Sequence, residues 1–210
     1  LYASANSQKE YDPDGDKFSN LPQARTLSLN PKVFYYPSDK TTIWLGLNGT
    51  YDQRKGGNLD AIKNNSNAYT EENISRRFST QAVWDTEVSD NSSFQFKNSV
   101  AYFNRELLLP NMDFKGSQVN TFTEVNYKTN TEKTDWIFGA NLYSSNFNED
   151  AITNERDQKD LTAGTFVNNV TDLSDNWILE TGLRTDFTSD WGFFALPRAS
   201  VLYKSNGRFT

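Results

Sequence analysis

The 210-residue sequence has no histidine, no cysteine, one methionine and six prolines. Without cysteine the chain forms no disulfide and offers no thiolate to a metal, and its redox compartment cannot be read from that absence. Without histidine, Ser-His-Asp and Cys-His catalysis and imidazole-ligated metal sites are excluded. Long apolar runs are lacking too: no stretch approaches the roughly 20 apolar residues of a transmembrane helix. Basic charge is the minority sign, with 21 Lys and Arg against 27 Asp and Glu and a formal net charge of -6. That balance argues against nucleic acid as a partner, because phosphate backbones are held through clustered Lys and Arg. The opening "LYASANSQKEYDPDGD" carries neither the basic nor the apolar region of a signal peptide. An enzyme reading is left with carboxylates alone, and the acidic segments supply many pairs without singling one out.

What the sequence does have is aromatic rings and alternation. Apolar residues make up only 36% of the chain and aromatics 14%, a ring content that a disordered chain lacks. Apolar and polar side chains alternate with the period of two that marks strands, and helical periodicity is absent. The pattern predicts strands over 25–36, 41–54, 77–88, 93–106, 118–128, 135–146, 161–171, 177–187 and 195–204, with 1–7 ending one strand and 208–210 beginning another. Ile43, Leu45, Leu47 and Tyr51 oppose Gly46, Asn48, Thr50 and Asp52, with Trp44 as the exception. Phe94, Phe96, Val100 and Tyr102 oppose Gln95, Lys97 and Ser99. Trp177, Leu179, Leu183 and Phe187 oppose Glu180, Gly182, Arg184 and Asp186. In 161–171 the faces are ambiguous, because Phe166 and Val167 fall on opposite sides.

The connections alternate as well. Short polar turns at 37–40, 89–92, 129–134, 172–176 and 205–208 alternate with longer segments at 8–22, 55–75, 107–117, 148–160 and 188–194. Outer-membrane barrels have short turns at one end and long loops at the other. Soluble strands usually run about five or six residues, whereas spanning strands need roughly 9 to 11. The strands here belong to the second class. Tyr35, Trp136, Trp177 and Tyr203 fall at the short-turn ends and Tyr51, Tyr102 and Phe187 towards the long-loop ends, where aromatic girdles sit. The fold expected is all-β: an antiparallel, up-and-down transmembrane β-barrel meander of about ten strands.

Particular segments resemble a known family. "NWILETGLRTDF", a short turn and "FFALPRASVLYK" are similar to the barrel of TonB-dependent outer-membrane receptors, particularly those of Bacteroidetes. The pairing of "GLRTD" with the following "PR" carries most of the likeness, and "EYDPDGDKFSNLP", "LNPKVFYY" and "LNGTYDQRKGG" add to it. The resemblance covers nearly the whole chain in order. It implies a barrel of about 22 strands, closed by a plug domain that TonB engages through a coupling box, and import of ferric chelates, haem, cobalamin or glycans. Residues 1–210 would then be one partial β-barrel domain, with the plug and the remaining strands outside them. The partners implied are outer-membrane lipid, the plug, TonB and a small-molecule or metal-chelate ligand.

Three groups of residues are candidates for a site. Asp12, Asp14 and Asp16 flank Gly15 at D-x-D-x-D spacing, which suits a hard cation such as Ca2+. Lys17 occupies the position where an EF-hand needs Gly and no later Glu completes the set, so a solvated hairpin loop is the alternative. Glu180, Arg184, Asp186 and Arg198 share one face and would grip a plug or form a salt-bridge ladder along the lumen; a hairpin centred near Trp191 would set Arg184 close to Arg198. Arg54, Lys55, Arg76, Arg77 and Trp191 lie in or near the long segments, where an anionic chelate or lipopolysaccharide phosphate would meet them, or where they are ordinary solvated charges.

The leading expectation is therefore a nutrient-importing receptor wall in the bacterial outer membrane, without catalysis. A soluble secreted β-rich module that binds glycans, or a small non-transporting outer-membrane barrel, are the alternatives.

Overall fold

A computed structural model describes residues 1–64, 68–150 and 156–204. These residues form one antiparallel sheet and a single short helix. The strands are β1 (Tyr2–Gln8), β2 (Gln23–Asn30), β3 (Lys32–Ser38), β4 (Thr41–Gly57), β5 (Thr70–Ser89), β6 (Ser92–Leu109), β7 (Met112–Asn130), β8 (Thr134–Glu149), β9 (Gln158–Asp172), β10 (Trp177–Thr188) and β11 (Gly192–Tyr203). Helix α1 (Leu59–Asn64) follows β4, and the Asn58 side chain accepts the N–H groups of Asp60 and Ala61 to cap it. From β4 onward each strand pairs with the next, so the sheet is an up-and-down meander that stays open at β1 and β11.

The strand expected over 25–36 appears as two, β2 and β3. Both lie along β4 in one register, with Leu29 opposite Gly49 and Lys32 opposite Gly46. Pro31 separates them. Its carbonyl accepts the Leu47 N–H at 3.0 Å, but proline has no N–H to return the bond, so one rung of the ladder is missing.

The long-loop end departs more from expectation. The segment 107–117 is mostly strand, and β6 turns into β7 through Pro110 and Asn111 alone. The segment 55–75 is shortened by the ends of β4 and β5, and 188–194 reduces to three residues between β10 and β11. β5 runs 20 residues and β7 runs 19, far beyond a membrane-spanning minimum. The reason lies in the pattern: the outer portions of β4 and β5 are mostly polar on both faces, and Leu107, Leu108, Leu109 and Phe114 put apolar side chains on both faces of β6 and β7, so alternation fades in either case and the sequence looks like loop. The strand expected from 208–210 lies outside the described residues.

Paired residues in a ladder share a face, so the register carries each face across the sheet. One row reads Phe94, Tyr127, Phe138, Val167, Leu183 and Pro197, apolar throughout. On the other side a row reads Asp85, Gln95, Asn126, Gly139, Phe166, Arg184 and Leu196, mostly polar or small. The ambiguity at 161–171 is thereby resolved: Val167 belongs to the apolar face and Phe166 to the polar one. The apolar face carries two aromatic belts. Tyr35, Trp84, Phe94, Tyr127, Trp136, Trp177 and Tyr203 lie towards the short turns, with the Trp177 and Tyr203 ring centres 4.8 Å apart. Tyr51, Phe78, Tyr102, Phe187 and Phe193 lie towards the other end. Trp177 and Phe187 are ten residues apart, which at about 3.3 Å per residue and about 40° of tilt gives roughly 25 Å, the height of a barrel's apolar band.

The sheet has no core of its own. Ala61 is the one buried apolar residue among those described. Side chains such as Phe78, Leu45 and Val201 stay half exposed or more on the apolar face. A single layer of this size needs an apolar medium against that face.

Candidate functional site

The middle of the polar face is a hydrogen-bonded network spanning six strands. Gln95 Nε2 donates to Asp85 Oδ1 at 2.5 Å, Lys97 Nζ to Glu124 Oε1 at 3.2 Å, and Asn126 Nδ2 to Glu124 Oε1 at 2.8 Å. Arg184 continues it, donating from Nε to Asp186 Oδ2 at 2.8 Å and from Nη2 to Asn141 Oδ1 at 3.2 Å. Its guanidinium lies 5.8 Å from the centre of the Phe166 ring. Two of the four residues expected on a lumenal face, Arg184 and Asp186, are thus paired with each other, and the other two are as well, Arg198 donating to Glu180 at 3.2 Å. Arg184 and Arg198 are close, as diagonal neighbours on one face and not as a direct pair. The ladder sets Leu196 opposite Arg184 and Gly182 opposite Arg198.

Glycine lets these side chains lie flat. A β-carbon at residue 164 would come within 2.6 Å of Arg184 Nη2 and 2.8 Å of Asn141 Oδ1. With no such atom, the arginine and the amide rest on the backbone instead of standing up from it. Lys97, Glu124, Asn126 and Gln95 were not singled out as site residues by the sequence, although Lys97 and Gln95 sit on the polar register.

The basic residues expected to meet a ligand divide between the faces. Arg54 and Arg77 are on the polar face, Lys55 and Arg76 on the apolar side, and Trp191 is at the β10–β11 turn, 80% exposed and six strands from Arg77. Arg76 sits at the second aromatic belt, directly opposite Tyr51, and donates to Glu106 at 2.6 Å and to Asn104 at 3.1 Å. Hydrogen bonding from Arg76 holds the Glu106 carboxyl below its ordinary range. Arg105 was missed. It shares the parity of Lys97 and Ser99, but Phe103 interrupts the alternation just before it.

At the same end, residues 9–22 fold onto the tops of β4 and β5. The Ser19 N–H donates to the Gly57 carbonyl at 2.9 Å, the Gly57 N–H to Ser19 Oγ at 2.9 Å, and the Leu59 N–H to the Lys17 carbonyl at 3.0 Å. Phe18 stacks on Tyr69 with ring centres 5.9 Å apart, and Lys63 reaches Glu10 at 3.6 Å. Gly57 has φ of 117°, and a β-carbon there would meet the Tyr69 carbonyl at 2.5 Å, so this crossing requires glycine. A groove between the Phe18–Tyr69 stack and the sheet is lined by Arg54, Glu71 and Asn73.

The Asp12, Asp14 and Asp16 carboxylates converge, one oxygen from each lying within 4.8 Å of the others. Asp12 and Asp16 also hold the loop's backbone. Asp12 accepts the N–H groups of Gly15 at 2.8 Å and Lys17 at 3.0 Å, and Asp16 accepts that of Phe18 at 2.8 Å. Partial shielding from water raises the Asp12 pKa, but hydrogen bonds from loop N–H groups, those of Gly15 and Lys17 among them, outweigh it and leave the carboxyl below its ordinary value. Gly15 and Lys17 both have positive φ, 74° and 64°.

No family model matches the chain, and no curated protein matches it. Solved structures do. The siderophore receptor PirA from Acinetobacter baumannii aligns over 96% of this chain and 35% of its own with a TM-score of 0.72 at 12% identity. PirA from Pseudomonas aeruginosa aligns over 98% and 33%, with a TM-score of 0.68 at 14% identity. The copper transporter OprC aligns over 95% and 36%, with a TM-score of 0.68 at 11% identity. The chain has the fold of a barrel-wall segment of these proteins. It spans about a third of their length, and the eleven strands do not close.

Proposed function

We propose that residues 1–210 are part of the barrel wall of a TonB-dependent receptor in the bacterial outer membrane, one that imports a scarce nutrient such as a ferric chelate, haem or cobalamin. The observation that carries this reading is the two-faced single sheet: an apolar face bounded by two aromatic belts, a self-bonded polar face, and no core of its own. A soluble glycan-binding sandwich would need a second layer to bury that apolar face. The structural likeness to siderophore and copper receptors supports the receptor reading over a small barrel, and the "GLRTD" and "PR" segments support a Bacteroidetes-type sequence.

The apolar face then meets lipid and the polar face lines a lumen too wide for side chains to fill, which a plug occupies. Glu180, Arg184, Asp186 and Arg198 belong to the wall that the plug contacts. Because Arg184 and Arg198 already have carboxylate partners, they offer the plug a nearly neutral hydrogen-bonding surface. TonB would act through segments outside these residues, and no step of bond chemistry is required of the wall.

The test is uptake by cells carrying the full-length gene. Under iron limitation, a deletion strain should lose uptake of one labelled ferric chelate, haem or cobalamin, and collapse of the proton-motive force should abolish uptake in the parent strain. Undiminished uptake of every such solute by the deletion strain would overturn the reading.

A further inference from the structure

At the long-loop end of the polar face, Arg54, Arg77 and Arg105 stand on three adjacent strands. The register places them there: Arg54 is opposite Asn73, Arg77 is opposite Phe103, and Ser75 is opposite Arg105. Arg77 and Arg105 are diagonal neighbours, a relation that sets β-carbons about 7 Å apart. Like charges so close repel, and the sheet offers them little compensation. Arg77 rests over the Phe103 ring at 5.1 Å, and Arg105 Nε donates to Asn73 Oδ1 at 3.2 Å, both neutral partners. Among the described residues neither has a carboxylate within 4.0 Å.

Mid-face cations behave differently. Lys97, Arg184 and Arg198 each have an acidic partner. The carboxylates near the arginines are otherwise engaged or stand aside. Asp52 accepts from Thr26 Oγ1 at 2.6 Å and from Arg54 at 3.0 Å, and Glu149 is paired with Arg156. Glu71 lines the groove beside Arg54. All three arginines are exposed, and that groove, walled by Phe18 and Tyr69, opens beside Arg54 and Asn73.

We infer that Arg54, Arg77 and Arg105 form a binding site for a solute that carries several carboxylates. Guanidinium groups match carboxylates through paired N–H donors. An anion bridging Arg77 and Arg105 would relieve their repulsion. This inference rests on the receptor reading only in taking the polar face as the interior, which separates the site from lipid phosphates.

Citrate is the probe, titrated calorimetrically into full-length protein purified in detergent at low ionic strength. The expected result is binding that weakens about tenfold or more on Arg77→Gln or Arg105→Gln, and further in the double variant. Arg77→Lys and Arg105→Lys should lose less than the Gln variants. Lys115→Gln, on the opposite face, should leave binding unchanged. A heat-modifiable gel shift checks that each variant is folded. Wild-type protein that binds no citrate, or loss of binding in Lys115→Gln equal to that in Arg105→Gln, would overturn the inference. Ser99→Cys reports orientation separately. If its thiol reacts only with a bilayer-confined reagent, the receptor reading fails too; if it reacts from water and citrate does not bind, the inference fails alone.

Discussion

The ring of Phe166 lies over Gly139, and the guanidinium of Arg184 lies over the same ring, 5.8 Å from its centre. The stack runs across β8, β9 and β10, so one missing β-carbon seats a side chain from the next strand and a cation from the one after. A methyl group at 139 would collide with the ring and with the Asn126 side chain, whose amide oxygen lies 2.6 Å from that position. Gly139→Ala should therefore destabilise the folded protein by about 1–3 kcal/mol through overpacking. Urea unfolding followed by gel shift measures it. Combining Gly139→Ala with Phe166→Ala should restore part of the loss, and a strictly additive pair would show that the ring is not the obstacle.

This stack also shows what the sequence carried and what it did not. Alternation at Trp177, Leu179, Leu183 and Phe187 reports which side of β10 is apolar, because lipid or a core demands that side be apolar along its whole length. Phe166 and Phe103 break the rule from the polar side. Each is an apolar ring used as a seat for a guanidinium, a pairing across strands that no single strand reveals. The arginine trio was half legible for the same reason: Arg54 and Arg77 were visible as charges, but their face, and Arg105 as a companion, depend on register. The hairpin at Pro110 and Asn111 was hidden because beyond the aromatic belt neither face is constrained to be apolar.

Pro31 offers a test of ladder continuity. Its position opposite Leu47 is one where both residues of a pair exchange hydrogen bonds, and only the Leu47 N–H to Pro31 carbonyl bond exists. Pro31→Val should supply the missing donor and join β2 to β3. The expected gain is about 0.5–1.5 kcal/mol, read as a raised urea midpoint with unchanged slope. A lowered midpoint would mean that the break serves the neighbouring strand β1.

Glu149 ends β8 and accepts two hydrogen bonds from Arg156, at 2.6 Å from Nε and 2.5 Å from Nη2. The hydrogen bond from Arg156 is the main reason its carboxyl titrates below the ordinary value of 4.5. A folded-state pKa below the unfolded one gives stability that is fully present above the unfolded value and is lost as pH falls through the folded one. Thermal midpoints should therefore be insensitive to this pair near neutrality and fall on acidification below about pH 4.5. Glu149→Gln should be less stable than wild type at pH 7, and the difference should shrink in acid. A constant difference across that range would remove Glu149 from the account.

The five tryptophans give a direct test of which face meets lipid. Trp84, Trp136 and Trp177 sit in the belt near the short turns, on the apolar face, whereas Trp191 is at a turn tip. Trp44 is the informative exception. It lies on the polar face, with Lys32 Nζ 3.4 Å from its ring centre, in the same strand as apolar-face Leu45. A ring capped by a lysine on the lumenal side cannot touch acyl chains even at the same height as its neighbours. In full-length protein reconstituted with brominated lipids, variants keeping one of Trp84, Trp136 or Trp177 should be quenched strongly. A variant keeping Trp44 should be quenched little, and an aqueous quencher should reach it instead unless the plug covers it. Equal lipid quenching of Trp44 and Trp84, which lies opposite Ile43 next to Trp44, would show that the sheet does not separate lipid from lumen.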